Sequence, residues 1–387
     1  MNRAAVAVLA KAVREAADTV YTVPGYPITG LGEALNAEIT LNEKIALEYA
    51  LGDALSGKRA VVICKHAGLH ALVDPLVHAA FQGISHGVLI ISGDDLEVAG
   101  SQIAQDSRAI GELSRSPIVS PDAAHLSASV ERALQASETF CRPAILRVTS
   151  DLLRGEADDS PMPRTDKKGR LVPSDFTMRG RTEWAGNLTE GLKDWAEQNQ
   201  EFGAVPYTGQ FEPLVPPHQN PQTHTTRGFS RTFCKNCPFQ EIIAILQQKN
   251  MKAICDTGCA LLATNPPYRV GIANYGLGSS IATAARSTRV ALCGDFSVLH
   301  SGLPALIDVA EKELPLLCII LKNTSMGMTG GQAVPDIDRY IAWADPIHIR
   351  AEDTDRLYRE CTTPNCLKVV IISGQCPEGE EHEKLEC

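Results

Sequence analysis

The chain has 387 residues, 44% of them hydrophobic and 21% charged, which is enough apolar material for two cores of ordinary domain size. A formal net charge of −10 without clustered Lys and Arg argues against binding to nucleic acid or to a membrane surface. The apolar runs fall short of the roughly 20 residues that span a bilayer, and the first segment carries charges at helical spacing, unlike a signal peptide. We therefore expect a cytoplasmic protein.

Two regions of the chain alternate strand-like apolar runs with helical patterns. In the first region these segments are 19–23, 43–55, 60–64, 70–81, 88–92, 125–138 and 144–148. In the second region strands are predicted near 290–293, 316–321 and 368–372, with a helix over 301–311 between the first two. Alternation of this kind is typical of the α/β class, with parallel sheets flanked by helices.

The segment between the two regions is rich in Pro, Gly, Asn, Gln and Thr, and lacks strand-like core runs. This composition predicts a linker, within which residues 183–200, with Trp184 and Trp195, form a helix packed on a domain surface. The predicted organisation is a domain at 1–155, a Pro-rich linker at 156–230, a second domain at 231–376 and an acidic, frayed tail at 377–387.

Two polar residues of the second region follow the ends of successive predicted strands. Asp295 comes after the run that ends in Gly294, and Asn323 comes after the next strand. Ligands of doubly wound sheets bind at that edge, and carboxylate and amide oxygens suit a magnesium ion that also takes diphosphate oxygens. A plain strand-end turn would favour the same residue types.

The segment 323–332, Asn-Thr-Ser-Met-Gly-Met-Thr-Gly-Gly-Gln, resembles the one that follows the metal-binding Asn in thiamine-diphosphate-dependent 2-oxoacid ferredoxin oxidoreductases. The His300-Ser-Gly sequence resembles the indolepyruvate branch of that family, in its alpha subunit. The resemblance implies two domains of the thiamine-diphosphate-binding fold, pyrimidine-binding at 1–155 and diphosphate-binding at 231–376. Phe296 departs from the glycine common in the wider superfamily.

The same resemblance implies a ligand set for the cofactor. Magnesium would be bound by Asp295, Asn323 and the main-chain carbonyl of Ser325. Further contacts to thiamine diphosphate are expected at Gly294, Phe296 and Met326.

Thiamine catalysis also needs a carboxylate hydrogen-bonded to the aminopyrimidine ring, so that the ring can take the proton from thiazolium C2. In the resembling family this carboxylate comes from the other domain, and Glu43 is the candidate here. Glu43 begins a predicted helix, with Gly52 further along it and Gly57 at its end. Two alternatives remain open: that Glu43 only complements the helix N-terminus, and that Glu48 on the same helix is the carboxylate.

Tyr-Pro-Ile-Thr29 matches a family sequence in which the Thr holds the substrate carboxylate, and this role is carried over to Thr29. Lys65, His66 and Arg108 lie in segments that resemble the indolepyruvate enzymes. We expect Lys65 and Arg108 in the substrate pocket together with His300, and His66 among the catalytic groups. Surface or helix-capping roles are the alternative for Lys65, His66 and Arg108.

Twelve cysteines are many for a chain without secretory features, so metal or cluster ligation is a hypothesis here. Cys64, Cys293 and Cys318 lie inside apolar runs, which predicts buried free thiols.

Four other cysteines form a pattern: Cys234-Lys-Asn-Cys237, a later Gly-Cys259, and Cys376 after the last predicted strand. Four thiolates suit either zinc or a 4Fe-4S cluster, and spacing does not separate the two. The resemblance implies the 4Fe-4S cluster, since the family holds one with cysteines in this order. Cys361 and Cys366 offer an alternative fourth ligand.

The resemblance implies oxidative decarboxylation of a 2-oxo acid, favouring an aryl pyruvate such as indolepyruvate, to an acyl-coenzyme A with electrons passed to ferredoxin. It implies a homodimer with a companion beta-type oxidoreductase subunit. It does not extend to the central domain of the family or to its terminal two-cluster ferredoxin module. A non-oxidative decarboxylase of the sulfopyruvate or phosphonopyruvate type and a non-catalytic scaffold subunit are the alternatives.

Overall fold

The computed structural model describes residues 2–165, 167–207, 220–329 and 331–377, which form two compact units. The first unit is built from the residues up to Val172 together with 178–222. The second unit takes residues 173–177 and the chain from Thr223 onwards. The predicted acidic tail lies outside the described residues, apart from Pro377.

The first unit contains an α/β arrangement of short strands and longer helices. Its strands are β1 (Asn2–Ala4), β2 (Thr19–Thr22), β3 (Glu38–Ile39), β4 (Ala60–Lys65), β5 (Gly83–Ile84), β6 (Val88–Asp94), β7 (Ile118–Val119), β8 (Ala144–Thr149), β9 (Glu156–Asp158) and β10 (Arg170–Leu171). Its α-helices are α1 (Ala5–Ala16), α2 (Thr29–Ala34), α3 (Glu43–Leu55), α4 (Leu69–Gln82), α5 (Arg108–Ser114), α6 (Leu126–Phe140), α7 (Ser150–Arg154) and α8 (Met178–Gln198).

A six-stranded parallel sheet forms the centre of this unit, in the order β3-β2-β4-β6-β8-β7. The side chains of β6 are buried on both faces, which explains why the central strands are near-continuous apolar runs in the sequence. Because the strands are parallel, the residues that follow Lys65, Asp94 and Thr149 lie at one edge of the sheet.

The segment predicted to be a linker differs from that expectation over most of its described length. β9 pairs with β1, β10 pairs with β5, and α8 packs on the sheet domain. The predicted helix with two tryptophans is present: Trp184 is buried, and the Trp195 ring meets the edge of Phe140. Short strand pairs and one amphipathic helix can pack on a domain without a continuous apolar run in their sequence. The composition of the segment therefore did not predict them.

The second unit repeats the architecture. Its strands are β11 (Ala253–Cys255), β12 (Gly271–Ala273), β13 (Val290–Gly294), β14 (Leu316–Lys322), β15 (Ser325–Met326), β16 (Gln332–Ala333), β17 (Ile347–Arg350) and β18 (Leu367–Ser373). Its α-helices are α9 (His224–Arg227), α10 (Gln240–Gln248), α11 (Ser280–Ala285), α12 (Asp295–Ser297), α13 (Leu303–Glu311), α14 (Asp338–Ile341) and α15 (Thr354–Glu360).

Six parallel strands again form the central sheet, in the order β12-β11-β13-β14-β18-β17. The predicted fold class, two parallel sheets flanked by helices, is confirmed. Cys64, Cys293 and Cys318 are fully buried on these sheets, as predicted. At the carboxyl edge of the second sheet, the chain continues from β11, β13, β14 and β18 into the segments that hold the candidate site residues.

No helix in the described part of the chain combines the length and the apolar character that a bilayer crossing requires.

Candidate functional site

Asp295 is the first residue after β13 and is only 3% exposed. Its Oδ1 accepts a hydrogen bond from the Phe296 N–H, and its Oδ2 accepts one from the Thr324 N–H, both at 2.8 Å. Burial raises the pKa of the Asp295 carboxyl, against the effect of these N–H donors. The second of these bonds ties the ends of β13 and β14 together, so the carboxylate is held beside the turn that contains Asn323.

Asn323 follows β14, and the next residue, Thr324, has a left-handed backbone (φ 57°) that reverses the chain. The Asn323 Oδ1 accepts a hydrogen bond from the Ser325 N–H at 3.2 Å. Its Nδ2 donates to the Sγ of Cys376 at 3.1 Å. A buried carboxylate, an amide oxygen and a nearby main-chain carbonyl form a hard oxygen donor set that fits magnesium.

The other predicted cofactor contacts surround this turn. Ser325 and Met326 form β15 and pair with β16, and Phe296 is half-buried with its ring 5.7 Å from that of His300. His300 is exposed, and its Nδ1 lies 3.2 Å from the Ser301 Oγ. A Cβ added at Gly294 would meet only the Ser297 Oγ, at 3.9 Å, so Gly294 leaves open space at the strand end.

Asp256, directly after β11, is a buried carboxyl at the same edge of the sheet that the sequence analysis did not single out. It is fully buried and accepts hydrogen bonds from the Gly278 N–H at 2.6 Å and the Ser280 hydroxyl at 2.8 Å. Burial raises the pKa of its carboxyl to about 6. Gly278 has φ +82°, and a Cβ there would lie 2.3 Å from the Ser301 Oγ. The signal available in the sequence was a third Asp or Asn at a strand end of the same sheet.

Cys234, Cys237, Cys259 and Cys376 line one cavity in the second unit, which Asn323 and Met328 also line. Burial raises the pKa of the Cys237 thiol to about 12, and the negative charges of the other three thiolates add to the effect. Burial likewise raises the pKa of Cys259, to about 11. Thiolates in this group are therefore unfavourable unless a cationic group offsets their charge.

No three His, Cys, Asp or Glu side chains among the described residues are arranged to hold one metal ion directly. Four thiols that line one cavity suit either zinc or a 4Fe-4S cluster by their chemistry. Cys361 is buried, Cys366 is exposed, and neither lines the cavity.

Gly374 lets the turn formed by residues 234–237 approach the end of β18. A Cβ added at Gly374 would lie 2.7 Å from the Cβ of Pro238 and 3.2 Å from the Cβ of Ala351. Since Pro238 directly follows Cys237, this close packing sets the position of the turn relative to Cys376.

In the first unit, Glu43 is the first residue of α3 and is half-buried. Asn42 already caps this helix by accepting a hydrogen bond from the Ile45 N–H at 2.9 Å. The Glu43 carboxylate lies against Gly68, where an added Cβ would be 2.3 Å from its Oε1. Glu48 is fully buried, and its Oε1 lies 2.9 Å from the Lys44 Nζ. The geometry favours Glu43 over Glu48 as a carboxylate that can reach a ligand.

The substrate-side residues predicted in the first unit lie near the carboxyl edge of its sheet, and they differ in burial and in hydrogen bonding, whereas His300 lies in the second unit. Thr29 is half-buried at the start of α2, and the Lys65 Nζ donates to the Gln102 Oε1 at 2.9 Å. His66 is fully buried, with Nδ1 3.2 Å from the Gly93 oxygen and Nε2 2.9 Å from the Ile103 oxygen. This arrangement differs from that expected of a group that contacts substrate.

Arg108 is exposed and bound to its neighbour Asp106, with its Nε 2.9 Å from each carboxylate oxygen. A buried ion pair nearby was missed from the sequence: the Arg147 Nε donates to the Asp94 Oδ2 at 2.7 Å. It joins β8 to the end of β6, and the Ser107 N–H donates to the same oxygen at 2.9 Å. The pair could not be predicted from the sequence because it depends on β6 and β8 being neighbours in the sheet.

Residues 243–350, which include Asp295 and Asn323, match the family described as thiamine pyrophosphate enzyme, C-terminal TPP binding domain. A putative thiamin diphosphate-dependent enzyme from Mycobacterium smegmatis has the same fold, with TM-score 0.62 and 14% identity over 97% of this chain and 100% of that one. The thiamine diphosphate-dependent 4-hydroxybenzoylformate decarboxylase of Rhodococcus jostii RHA1 has a TM-score of 0.61 and 12% identity, over 98% of this chain and 100% of that one. Residues 243–350 therefore match a thiamine-diphosphate-binding domain, and the chain has the fold of these two thiamine diphosphate-dependent enzymes.

Its relatives narrow the class. The indolepyruvate oxidoreductase subunit IorA of Methanothermobacter thermautotrophicus is 21% identical over an alignment of 464 residues, which covers 84% of this chain and 75% of that protein. The subunit IorA of Pyrococcus abyssi is 30% identical over 165 residues, or 40% and 26% of the two chains. The chain is a relative of these indolepyruvate oxidoreductase subunits, as the sequence resemblance predicted.

Proposed function

We propose that the protein catalyses the oxidative decarboxylation of a 2-oxo acid, with thiamine diphosphate and Mg²⁺, to an acyl-coenzyme A. Electrons would leave through a 4Fe-4S cluster to ferredoxin, and an aryl pyruvate such as indolepyruvate is the favoured substrate. One observation carries the proposal: the cavity lined by the four cysteines is also lined by Asn323. A non-oxidative decarboxylase would have no use for such a group of thiols.

In this proposal the second unit holds the cofactors. Asp295, Asn323 and the Ser325 carbonyl would bind Mg²⁺, and Gly294, Phe296 and Met326 would contact the diphosphate. The cofactor supplies, when bound, a nucleophilic carbon and an electron sink. The side chains of Cys234, Cys237, Cys259 and Cys376 would ligate the cluster.

The first unit would supply the proton and substrate contacts. Glu43 would accept a hydrogen bond from the aminopyrimidine ring and so hold the ring in its proton-accepting form. Thr29 and Lys65 would orient the substrate carboxylate, and Arg108 would be a further substrate contact. In the second unit His300 is the candidate for a substrate contact. For His66, the contacts to the Gly93 and Ile103 carbonyls support a positioning role, bracing the loop after β6.

We further propose an active homodimer with a companion beta-type subunit, because relatives complete each thiamine site from two copies. In both units, exposed apolar side chains follow the carboxyl ends of the strands: Leu96, Val98, Ile103, Met328, Tyr340 and Trp343. Burial of these side chains against another subunit would remove them from water, which supports the proposed assembly. Sedimentation of the purified chain tests the dimer, and a monomer that is fully active alone with ferredoxin would contradict this assembly.

Iron content and turnover together test the proposed function. Anaerobically purified protein should contain iron and acid-labile sulfide, and should reduce a viologen dye when given a 2-oxo acid, thiamine diphosphate, Mg²⁺ and coenzyme A. Cys259→Ser should lose the cluster and dye reduction. Cys366→Ser is the matched control, since this exposed cysteine lies outside the cavity, and it should keep both. Carbon dioxide release without dye reduction would instead support the non-oxidative decarboxylase.

A further inference from the structure

The Asn323 side chain faces both proposed cofactor sites at once. Its Oδ1 accepts the Ser325 N–H at 3.2 Å, and its Nδ2 donates to the Cys376 Sγ at 3.1 Å. The orientation of the amide is fixed by its partners, because the Ser325 N–H can only donate and must therefore face the oxygen. The nitrogen is left to face sulfur, so the oxygen is the atom that a metal can bind.

The contact depends on two neighbouring strands of the second sheet. β14 and β18 are adjacent and parallel, with Lys322 opposite Ser373. The Gly374 N–H extends this pairing by donating to the Lys322 oxygen at 3.1 Å. Asn323 and Cys376 each follow this paired region within a few residues, so their separation is set by backbone hydrogen bonds.

We infer that Asn323 couples the two cofactors, so that binding of Mg²⁺ and thiamine diphosphate raises the reduction potential of the cluster held by Cys376. The inference rests on the proposed function. A cation on Oδ1 draws electron density from the amide and makes its N–H a stronger donor. A stronger hydrogen bond to a ligand sulfur stabilises the reduced cluster, whose sulfurs carry more negative charge.

The coupling has a necessary converse. If the cofactor makes the cluster easier to reduce, a reduced cluster must bind the cofactor more tightly by the same factor. The positive charges of Mg²⁺ and the thiazolium ring offset the diphosphate, which leaves the hydrogen bond as the main route for the effect. The cluster would thus become a good electron acceptor only when the cofactor that supplies the electrons is in place.

Redox titration of the anaerobic holoprotein tests the inference, with visible and EPR detection, with and without Mg²⁺ and thiamine diphosphate. We expect a positive shift of the midpoint potential on cofactor binding. The dissociation constant of thiamine diphosphate, measured with the oxidised and the dithionite-reduced protein, should fall on reduction by the matching factor, tenfold for each 59 mV of a one-electron couple.

Two variants distinguish the effect of the Asn323 N–H on the cluster from the effect of the metal ligands on cofactor binding. Asn323→Asp keeps an oxygen ligand for the metal but has no N–H, so the cofactor should still bind while the shift is lost. Asp295→Asn keeps the Asn323 N–H but weakens metal binding, so its cluster should respond only when far more cofactor is present. An equal shift in wild type and Asn323→Asp would overturn the inference.

The failures can be told apart. If the wild type holds no cluster or binds no thiamine diphosphate, the proposed function fails and the coupling with it. If both bind and the potential does not move, only the coupling fails. If Asn323→Asp does not assemble a cluster, ENDOR of the reduced wild type with ¹⁵N-labelled asparagine replaces that variant. The inference requires a side-chain nitrogen whose hyperfine coupling to the cluster increases when the cofactor binds. An unchanged hyperfine coupling contradicts the inference.

Discussion

At the scale of single residues, Asp295 and Asn323 are the side chains on which the proposed binding of Mg²⁺ depends. Asp295→Ala and Asn323→Ala should each weaken Mg²⁺-dependent binding of thiamine diphosphate by at least about 100-fold, because removing even a partner of a ligand costs about 10- to 100-fold in metal affinity. Calorimetric titration measures this directly. Asp355→Ala, on an exposed part of α15, is the control and should bind normally. Normal affinity in both site variants would rule out these residues as ligands.

Glu43 lies where a carboxylate can act without capping its helix, since Asn42 already does so. Glu43→Gln keeps the shape of the side chain but cannot stabilise a protonated pyrimidine. We expect the fold and much of the cofactor binding to persist, and deuterium exchange at thiazolium C2 to slow by about 100-fold or more. The exposed Glu33→Gln should exchange at the wild-type rate. Fast exchange in Glu43→Gln would make Glu43 a helix-end charge only.

Asp256 makes stability depend on pH. Its folded-state pKa is about 6, above the ordinary value of 3.8, so between these values the folded chain binds more protons than the unfolded chain. The free energy of unfolding therefore falls as pH rises through this window, by about 3 kcal/mol for this group. Asp256→Asn does not titrate, so its stability relative to wild type should increase from about pH 4 to about pH 6 in urea denaturation. A difference that is independent of pH would show that burial does not shift this carboxyl.

Residues at strand ends could be predicted as site residues because their position follows from the strands alone. Asp295 and Asn323 are predicted in this way, and Cys376 is predicted from its position together with the resemblance. The hydrogen bond between Asn323 and Cys376 could not be, since it depends on β14 and β18 being neighbours. The contacts that occupy His66 and Arg108 depend on loop conformations, which residue types do not reveal.

At the scale of elements, the turn after Cys234 depends on its packing against the end of β18. Gly374→Ala would place a Cβ 2.7 Å from the rigid ring of Pro238, which must then move together with Cys237. We expect a several-fold loss of iron per chain with the sheet intact, as measured by iron analysis and circular dichroism. Gly186→Ala in α8 meets nothing within 4 Å and should retain its iron. Full iron content in Gly374→Ala would show that the turn can adapt.

The central strands were predictable because burial on both faces makes them continuous apolar runs, as in β6 and β14. The pairs β1–β9 and β10–β5 were not, because strands of two or three residues give no periodic signal. The contacts of α8 were equally hidden: Arg142 is fully buried and donates to the Ala185 oxygen at 3.1 Å and the Thr189 Oγ1 at 2.9 Å. Most of the described part of the segment predicted to be a linker is therefore part of the first unit.

At the scale of the whole molecule, the chain has two α/β units, and the second of them carries a group of four cysteines around one cavity. The fold class follows from the alternation of strands and helices, whereas the chemistry depends on whether electrons leave through those cysteines. The favoured 2-oxo acid is suggested only by the resemblance and by the names of the relatives.

Rapid mixing of the anaerobic holoprotein with indolepyruvate, before any electron acceptor is added, tests the central claim most directly. The account predicts that the visible absorbance of the cluster bleaches and that the EPR signal of a reduced 4Fe-4S cluster appears, only when thiamine diphosphate and Mg²⁺ are bound. Glu43→Gln should hold the same cluster and remain oxidised. Decarboxylation of the 2-oxo acids of a test panel, with the cluster still oxidised throughout, would contradict the account.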